Sequence, residues 1–179
     1  IHTDWQPRIS GLPLKSVAAL LSIEGRLIAG GTGGIAYSPD GGKSWQKAEM
    51  QEAVDSVLAL AVPSHFAQSK IVLAATLENG ILRSDDRGKH WYSVISGLEN
   101  LETTALTWID ESNVLVGTTN GIYHSSNDGQ SWLITEGSKG YEVGALTSMS
   151  NGTALAALES GGLLSSADSG ITWNKLENI

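Results

Sequence analysis

An all-β fold of short antiparallel strands is predicted by three features of the 179-residue chain. The 21 glycines are spread along the chain, and short runs of Val, Leu, Ile and Ala lie between Gly, Asn, Asp and Ser, as in strands joined by tight turns. No window has a sustained helical period. An eight-residue motif, S-x-D-x-G-x-x-W, also recurs, and a motif present once per repeat is usually structural.

This motif, the box, occurs four times. Its tryptophans lie at 45, 91, 132 and 173, so the spacings are 46, 41 and 41 residues. The predicted structural residues are Ser38, Asp40, Gly42, Trp45; Ser84, Asp86, Gly88, Trp91; Ser125, Asn127, Gly129, Trp132; and Ser166, Asp168, Gly170, Trp173.

Each box is predicted to be a tight turn before an outer strand. Its Asp or Asn accepts backbone hydrogen bonds, its glycine takes positive φ, and its tryptophan packs between sheets. Asn127 keeps the acceptor oxygen without the charge, which indicates that hydrogen bonding rather than ionisation is required. The remaining charged residues of the second box, Asp85, Arg87 and His90, are expected to be variable decorations of the turn.

Four apolar strand segments are found in each repeat. Aligned on the tryptophans without gaps, the second strands begin at Leu27, Leu73, Val114 and Leu155. The turn that follows always closes on a glycine, as a turn needing positive φ requires: Gly34, Gly80, Gly121 and Gly162. The extra length of the second repeat, residues 63–69, is predicted to be a surface loop.

Four short antiparallel strands in a repeat of about 40 residues predict a blade of a β-propeller. The whole chain is then a single array, with blades at about 14–50, 54–97, 101–137 and 141–179. Residues 1–10 are predicted to be the outer strand of a preceding blade. Because the last blade already has its own outer strand, this stray strand favours a piece of a larger propeller; mutual completion by two copies and a small closed ring are the alternatives.

The S-x-D-x-G-x-x-W pattern resembles the Asp-box, or BNR, repeat. That repeat is found in sialidases, sortilin-type receptors, xyloglucan-degrading glycosidases and photosystem II assembly factors of the Ycf48 type. The resemblance covers essentially the whole chain and implies a β-propeller with its boxes on the rim opposite the ligand-binding face. It does not select a function, because the same box occurs in enzymes, receptors and scaffolds.

Composition and residue spacing argue against several functions. A net charge of -8 and a pI near 4.8 argue against nucleic-acid binding, which needs clustered Lys and Arg. No apolar run is long enough to span a membrane. Without cysteine, and with four histidines in different repeats, the sequence predicts neither a metal site nor a cofactor. A sialidase needs three converging arginines, but Arg26 and Arg87 fall in turns, leaving only Arg8 and Arg83.

The ligand face of a propeller is formed by the turns between second and third strands and by the links between blades. About half of the 19 acidic residues fall in these loops. The candidate ligand-face residues are Glu52, Asp55, Glu78, Glu102, Tyr141, Glu142 and Glu159, and no catalytic residue is assigned. These loops form either a solvated acidic surface or a concave face for a cationic ligand, a basic protein patch or a sugar. The residues just before the box serines are expected to be exposed at the opposite rim: Tyr37, Arg83, His124 and Ser165.

The sequence therefore favours a non-enzymatic binding or scaffolding propeller that presents an acidic loop face to a protein or carbohydrate partner. One alternative is a fragment of a secreted glycoside hydrolase, with Glu78 or Glu159 as the acids to test. Another is an assembly factor resembling the Ycf48 type, although that family is associated with an arginine-bearing basic patch and this chain has four arginines. The resemblance further implies a bacterial, extracytoplasmic protein.

Overall fold

A computed structural model describes residues 11–176 of the chain, in which the strands form four sheets, one for each repeat. Blade 1 contains β1 (Ala19–Ile23), β2 (Arg26–Gly31), β3 (Gly34–Ser38) and β4 (Gln46–Lys47). After β5 (Glu49–Met50), blade 2 contains β6 (Val57–Ala61), the one-turn helix α1 (Phe66–Ser69), β7 (Val72–Thr76), β8 (Ile81–Ser84) and β9 (His90–Ser93). Blade 3 contains β10 (Thr103–Trp108), β11 (Val114–Thr118), β12 (Gly121–Ser125) and β13 (Leu133–Ile134). Blade 4 contains β14 (Val143–Ser148), β15 (Ala154–Leu158), β16 (Leu163–Ser166) and β17 (Asn174–Lys175).

The four strands of each blade are antiparallel and follow one another in chain order. The first strands β1, β6, β10 and β14 contact one another in sequence and form the inner edge of the array. The prediction of an all-β array of four-stranded blades is confirmed. The outer strand predicted at residues 1–10 lies outside the described residues.

Apolar side chains between successive blades form the core. Ile28 and Ile35 of blade 1 pack in one cluster with Leu82 and Trp91 of blade 2, and two similar clusters join blades 2 and 3 and blades 3 and 4. The tryptophans of the last three boxes are at most 3% exposed. Burial of each large apolar side chain contributes roughly 1.5–3 kcal/mol, so most of the stabilisation lies between blades.

The turns between second and third strands close on glycine, as predicted. Gly34, Gly80, Gly121 and Gly162 have φ angles of 107°, 69°, 131° and 91°. An L side chain rarely adopts this backbone conformation, so glycine is required at these positions.

The length of these turns alternates along the array, which makes the gapless alignment wrong. Two residues join β2 to β3 and β11 to β12. In the other two blades, three residues lie between the bonded ends of the turn, Thr76 and Gly80 or Leu158 and Gly162. The residue that pairs with the box serine is Leu27 in blade 1 and Val72 in blade 2, so Leu27 is equivalent to Val72 and not to Leu73. Because a shift of one residue turns a strand side chain to the other face, Leu73 faces blade 3 while Leu27 faces away from blade 2.

The insertion of the second repeat is partly a core element. Its helix α1 places Phe66 in the cluster between blades 1 and 2, where the side chain is 6% exposed. The prediction of a simple surface loop is wrong for this residue, because a phenylalanine in a loop over an apolar cluster gains more from burial than from exposure.

The link that leaves each blade runs beside the outer strand of the next blade. Strand β5 pairs in parallel with β9, and the Gln51 N–H donates to the Trp91 carbonyl at 3.1 Å. In the next two links, the N–H groups of Trp132 and Trp173 donate to the carbonyls of Ser96 and Glu136, both at 2.9 Å. These link segments, 49–51, 96–97 and 136–137, are called straps below, and they join blades through the backbone.

Candidate functional site

The predicted ligand face is one edge of the array, which we call the link rim. It comprises the links 12–18, 51–56, 94–102 and 135–142 and the turns 32–33, 77–79, 119–120 and 159–161. Backbone N–H···O=C bonds of 2.9–3.3 Å connect these loops in order: Gly33 to Asp55, Leu77 to Ser56, Gly80 to Leu101, Thr119 to Glu102, Gly140 to Asn120 and Glu159 to Glu142. The structure thus brings the candidate loops together in one continuous, hydrogen-bonded rim.

The six predicted acidic residues of the link rim are all exposed: Glu52, Asp55, Glu78, Glu102, Glu142 and Glu159. Glu99 raises the number of carboxylates on this rim to seven, against two lysines, Lys15 and Lys139. Glu136 follows in the same chain segment but lies in the strap, where its backbone pairs with Thr172 of the fourth box. Within residues 11–176, none of these carboxylates forms an ion pair, and only Glu102 accepts a side-chain hydrogen bond, from the Thr119 hydroxyl at 2.8 Å. The rim therefore carries a concentrated and largely uncompensated negative charge.

Tyr141, the aromatic candidate, is half-buried. Its ring packs against the apolar cluster between blades 3 and 4. The structure thus places Tyr141 on the link rim beside Glu142 but gives its ring a packing role as well.

The boxes occupy the opposite edge, the box rim, and share one hydrogen-bond pattern. Each box serine Oγ accepts the N–H of the box glycine at 2.7–2.9 Å and donates to Oδ1 of the Asp or Asn at 2.7–2.9 Å. That Oδ1 also accepts the N–H of the residue four positions later, at 2.9–3.0 Å. Asn127 makes both contacts as the three aspartates do.

A second left-handed residue precedes each box glycine, which the sequence pattern did not reveal. Gly41, Arg87, Asp128 and Ser169 have φ angles of 70°, 66°, 60° and 60°. The N–H groups of the last three donate at 3.0–3.1 Å to carbonyls in the hairpin between the first two strands of their blade. This hydrogen bond offsets the cost of the left-handed backbone. The residue types at this position differ from box to box, so the sequence does not reveal the left-handed conformation.

The box carboxylates accept hydrogen bonds from groups of their own turns. Hydrogen bonds from the side chain and backbone of Ser44 lower the pKa of Asp40 to about 2, and those from Thr172 lower the pKa of Asp168 to about 2. Burial opposes ionisation of Asp86, yet hydrogen bonds from His90 outweigh it and lower the pKa of Asp86 to about 2. Such carboxylates remain ionised at neutral pH and are poor proton donors.

Arg83 contradicts the expectation that the residues before the box serines are exposed. It is 6% exposed, its Nη2 lies 2.8 Å from Asp85 Oδ1, and its Nη1 donates to the backbone carbonyl of Asp128 in the box of blade 3. Tyr37, His124 and Ser165 are half-buried. The expectation is wrong for Arg83 because its strand position faces blade 3 rather than solvent.

The second box is likewise more than a decorated turn. His90 bonds Asp86 of its own box through Nδ1, while its Nε2 lies 3.3 Å from Glu49 Oε2 in the strap of blade 1. The hydrogen bond with Asp86 is the main cause that raises the pKa of His90. Arg87 pairs with Glu24 of blade 1 at 3.6 Å. Asp85, Arg87 and His90 therefore connect blades or brace Arg83, and the expectation of mere decoration is wrong.

Residues 11–176 contain no group of three or more His, Asp or Glu placed to hold a metal ion. They also contain no helix long and apolar enough to cross a membrane.

No protein-family model and no curated protein matches the chain. Solved structures do match it. The computationally designed Ika4 protein aligns with a TM-score of 0.70 and 16% identity, over 92% of this chain and 99% of that one. The GH74 xyloglucanase of Xanthomonas campestris aligns with a TM-score of 0.75 and 18% identity, over 93% of this chain but 31% of the enzyme. YCF48 bound to D1 peptide aligns with a TM-score of 0.67 and 14% identity, over 90% of this chain and 55% of YCF48.

The fold and these likenesses define the class of the chain as a β-propeller array. The chain spans about a third of the xyloglucanase and just over half of YCF48. At identities below a fifth, the likeness establishes the fold and leaves the function to be argued from the site.

Proposed function

We propose that the chain is a non-enzymatic binding propeller whose link rim engages a protein or carbohydrate partner, and that a basic segment of a protein is the favoured ligand. One observation carries this proposal: the two rims differ in how their carboxylates are used. The link rim has seven carboxylates against two lysines, whereas six Lys and Arg residues lie on the box rim: Arg26, Lys43, Lys70, Arg83, Arg87 and Lys89.

Local bonding strengthens this asymmetry. Asp40, Asp86 and Asp168 on the box rim accept hydrogen bonds from their own turns, and Asp85 is paired with Arg83. The link-rim carboxylates have no such intramolecular cations among the described residues. A surface with unpaired charge of one sign attracts ligands of the opposite sign and accelerates their association.

The mechanism of binding is geometric. The link rim is held by backbone hydrogen bonds from blade to blade, so loops of successive repeats keep fixed positions and little ordering is required on binding. The existence of a peptide complex of YCF48, a propeller of similar fold, supports a peptide as a ligand class for this proposal.

The test is binding of an octalysine peptide at low and moderate salt, with Glu78→Gln/Glu142→Gln as the rim variant. The matched control removes the same charge from the box rim by Glu24→Gln/Glu111→Gln. Each exposed ion pair is worth about 0.2–1 kcal/mol, so we expect the rim variant to bind about two- to thirtyfold more weakly and the control to bind as the parent does. Equal weakening by both variants, or binding that is independent of salt, would remove the link rim from the proposal.

A glycoside hydrolase fragment is a second candidate, favoured by the position of Glu159. Its N–H donates to the Glu142 carbonyl at 3.0 Å, and its carboxylate lies against Gly144 of the inner strand β14, so the backbones of two acidic residues are joined on the rim and one carboxylate reaches its inner part. Paired carboxylates are what glycosidic cleavage requires. Release of reducing sugar from xyloglucan that is lost in Glu159→Gln would establish this candidate; no release by the parent chain would dismiss it for this chain.

The assembly-factor alternative and the cellular location belong to the same proposal. An acidic rim fits a basic partner, whereas an assembly factor of the Ycf48 type would use an arginine-bearing patch, for which residues 11–176 offer Arg26, Arg83 and Arg87 in box-rim positions. We expect a bacterial, extracytoplasmic protein, and fractionation of the source cells would check this location.

A further inference from the structure

The three interfaces between blades repeat one contact. An aliphatic residue of the second strand, Ile28, Leu73 or Leu115, packs beside the box glycine of the next blade. A Cβ added to that glycine would lie 2.5–2.7 Å from the aliphatic side chain in all three cases. Each of the three side chains is at most 3% exposed, so the contact is complete.

A second contact also repeats. Two residues further along the second strand lies a small residue, Gly30, Ala75 or Gly117. At each interface this strand contacts the inner strand of the next blade, which begins with Val57, Thr103 or Val143. A Cβ added to Gly30 or Gly117 would lie 2.5 or 2.6 Å from Cγ1 of the facing valine. The facing residues are 0% exposed in every case.

Blade 4 carries the donor half of both contacts without a partner among the described residues. Leu155 and Ala157 occupy the positions of Leu115 and Gly117, but they are half-buried and line an apolar groove with Leu146 and Leu163. The N–H of Leu176 donates to the third strand of its blade, as the N–H groups of Ala48 and Val94 do in blades 1 and 2. Leu176 is nevertheless 37% exposed, whereas Ala48 and Val94 are at most 8% exposed.

Blade 1 carries the complementary half of the second contact. Val17 lies two residues before Ala19, which pairs with Gly30. In the same way, Val57 lies two residues before Ala59 and Val143 two residues before Ala145. Val57 and Val143 are fully buried, whereas Val17 is 45% exposed. The two halves of one repeated contact are thus open at opposite ends of the same chain.

The chain does not bring these halves together by itself. Within residues 11–176, extensive contacts join β1 to β6, β6 to β10 and β10 to β14, and none of that extent joins β14 to β1. If one copy closed into a ring, Val17 and Leu155 would be buried as their counterparts in the other blades are. Instead, Val17 is exposed and Leu155 is half-buried.

We propose that blade 4 of one copy packs on blade 1 of a second copy, and that two such interfaces close a ring of two chains. The new interface continues the three that the chain already has and uses the same residue positions. A head-to-tail interface must either close or extend into a filament, and a ring of two leaves neither apolar face open.

The absence of cysteine allows a direct cross-linking test. In the double variant Val17→Cys/Ala157→Cys, mild oxidation is expected to give a covalent species of two chains on a non-reducing gel, because disulfides form only between Cβ atoms about 3.5–4.5 Å apart. The matched control is Gly117→Cys/Val143→Cys at an existing interface, where the corresponding Cβ positions are 3.1 Å apart. That is a few tenths of an ångström shorter than a disulfide needs, so a small outward shift of the two strands should let the bond form within one chain. A bond within one chain of the test variant, no bond, or a ladder of larger species would overturn the proposal.

Light scattering gives the second, independent readout. We expect the parent chain to have the mass of two copies, and Leu155→Asp to weaken the association at least about tenfold, because an unpaired carboxylate is placed in the apolar interface. Leu133→Asp, at a side chain that is 76% exposed on an outer strand, serves as the control and should keep the mass of two. A parent chain that is monomeric at every concentration, or a monomeric longer chain whose next blade covers Leu155, would overturn the proposal.

Discussion

Replacing Gly129 by alanine tests whether the box glycine is a contact between blades as well as a turn residue. Gly129 has φ of +77°, and an added Cβ would lie 2.7 Å from Leu73 Cδ1 and 3.4 Å from Trp132 Cζ2. Leu73 is fully buried, so the methyl group cannot be accommodated by moving a side chain into solvent.

The expected cost has two parts. A left-handed conformation costs an L residue about 1–2 kcal/mol, and overpacking of a tight core costs about 1–3 kcal/mol, so Gly129→Ala should lower the free energy of unfolding by roughly 2–5 kcal/mol. Gly41→Ala is the matched control, since Gly41 has φ of +70° but its added Cβ would come no closer than 3.9 Å to any other group, the Gly25 carbonyl. The control should therefore show only the first part.

The assay is urea unfolding followed by tryptophan fluorescence, with both variants compared at the same pH and salt. The difference between the two variants, about 1–3 kcal/mol, measures the contact with Leu73. If the two variants lose the same free energy, the box glycine has no role at the interface, and the reasoning about repeated contacts between blades is refuted.

Three further predictions concern stability. Arg83→Met should lower the free energy of unfolding by about 1–3 kcal/mol in urea, because it leaves the part-buried backbone carbonyl of Asp128 without this donor, whereas Arg26→Met should change it by less than about 0.5 kcal/mol. Asp168→Ala should lower the melting temperature at neutral pH and Asp168→Asn should not. Since the folded-state pKa of Asp168 is about 2 against an ordinary 3.8, the stability it contributes is present above about pH 4 and lost as pH falls toward 2, and the Asn variant should lose less in that window. The pKa of His90 is instead raised above 6.5, so its contribution is complete below that value and lost as pH rises through the folded-state pKa; melting curves of His90→Gln should lack this loss on the alkaline side.

The strands and blades could be predicted because the repeat displays them four times. Alternation of apolar runs and glycine turns determines strand order, and the box fixes the phase of each repeat. The link rim could be predicted as well, since the type of loop decides which edge of a blade its residues occupy. What the pattern could not show is which blade face a residue takes, because turns of two and three residues look alike until pairing is seen.

Burial of single residues was the other limit. Arg83 looks like a surface residue in the sequence, and only the approach of Asp128 from the next blade explains its burial. Phe66 lies in an insertion without a counterpart in the other repeats, so no comparison within the chain could place it in the core. In both cases the deciding partner lies in another blade, and its distance along the sequence hides it.

The straps give synthesis of the array a direction. Each strap leaves the ribosome with one blade, but the strand that it hydrogen-bonds is the last strand of the following blade and emerges a full repeat later. In blades 2 to 4, the backbone groups that bond the start of the outer strand therefore lie earlier in the chain than that strand. Assembly from the N-terminal side meets a partner that the chain already contains, whereas assembly from the other end does not.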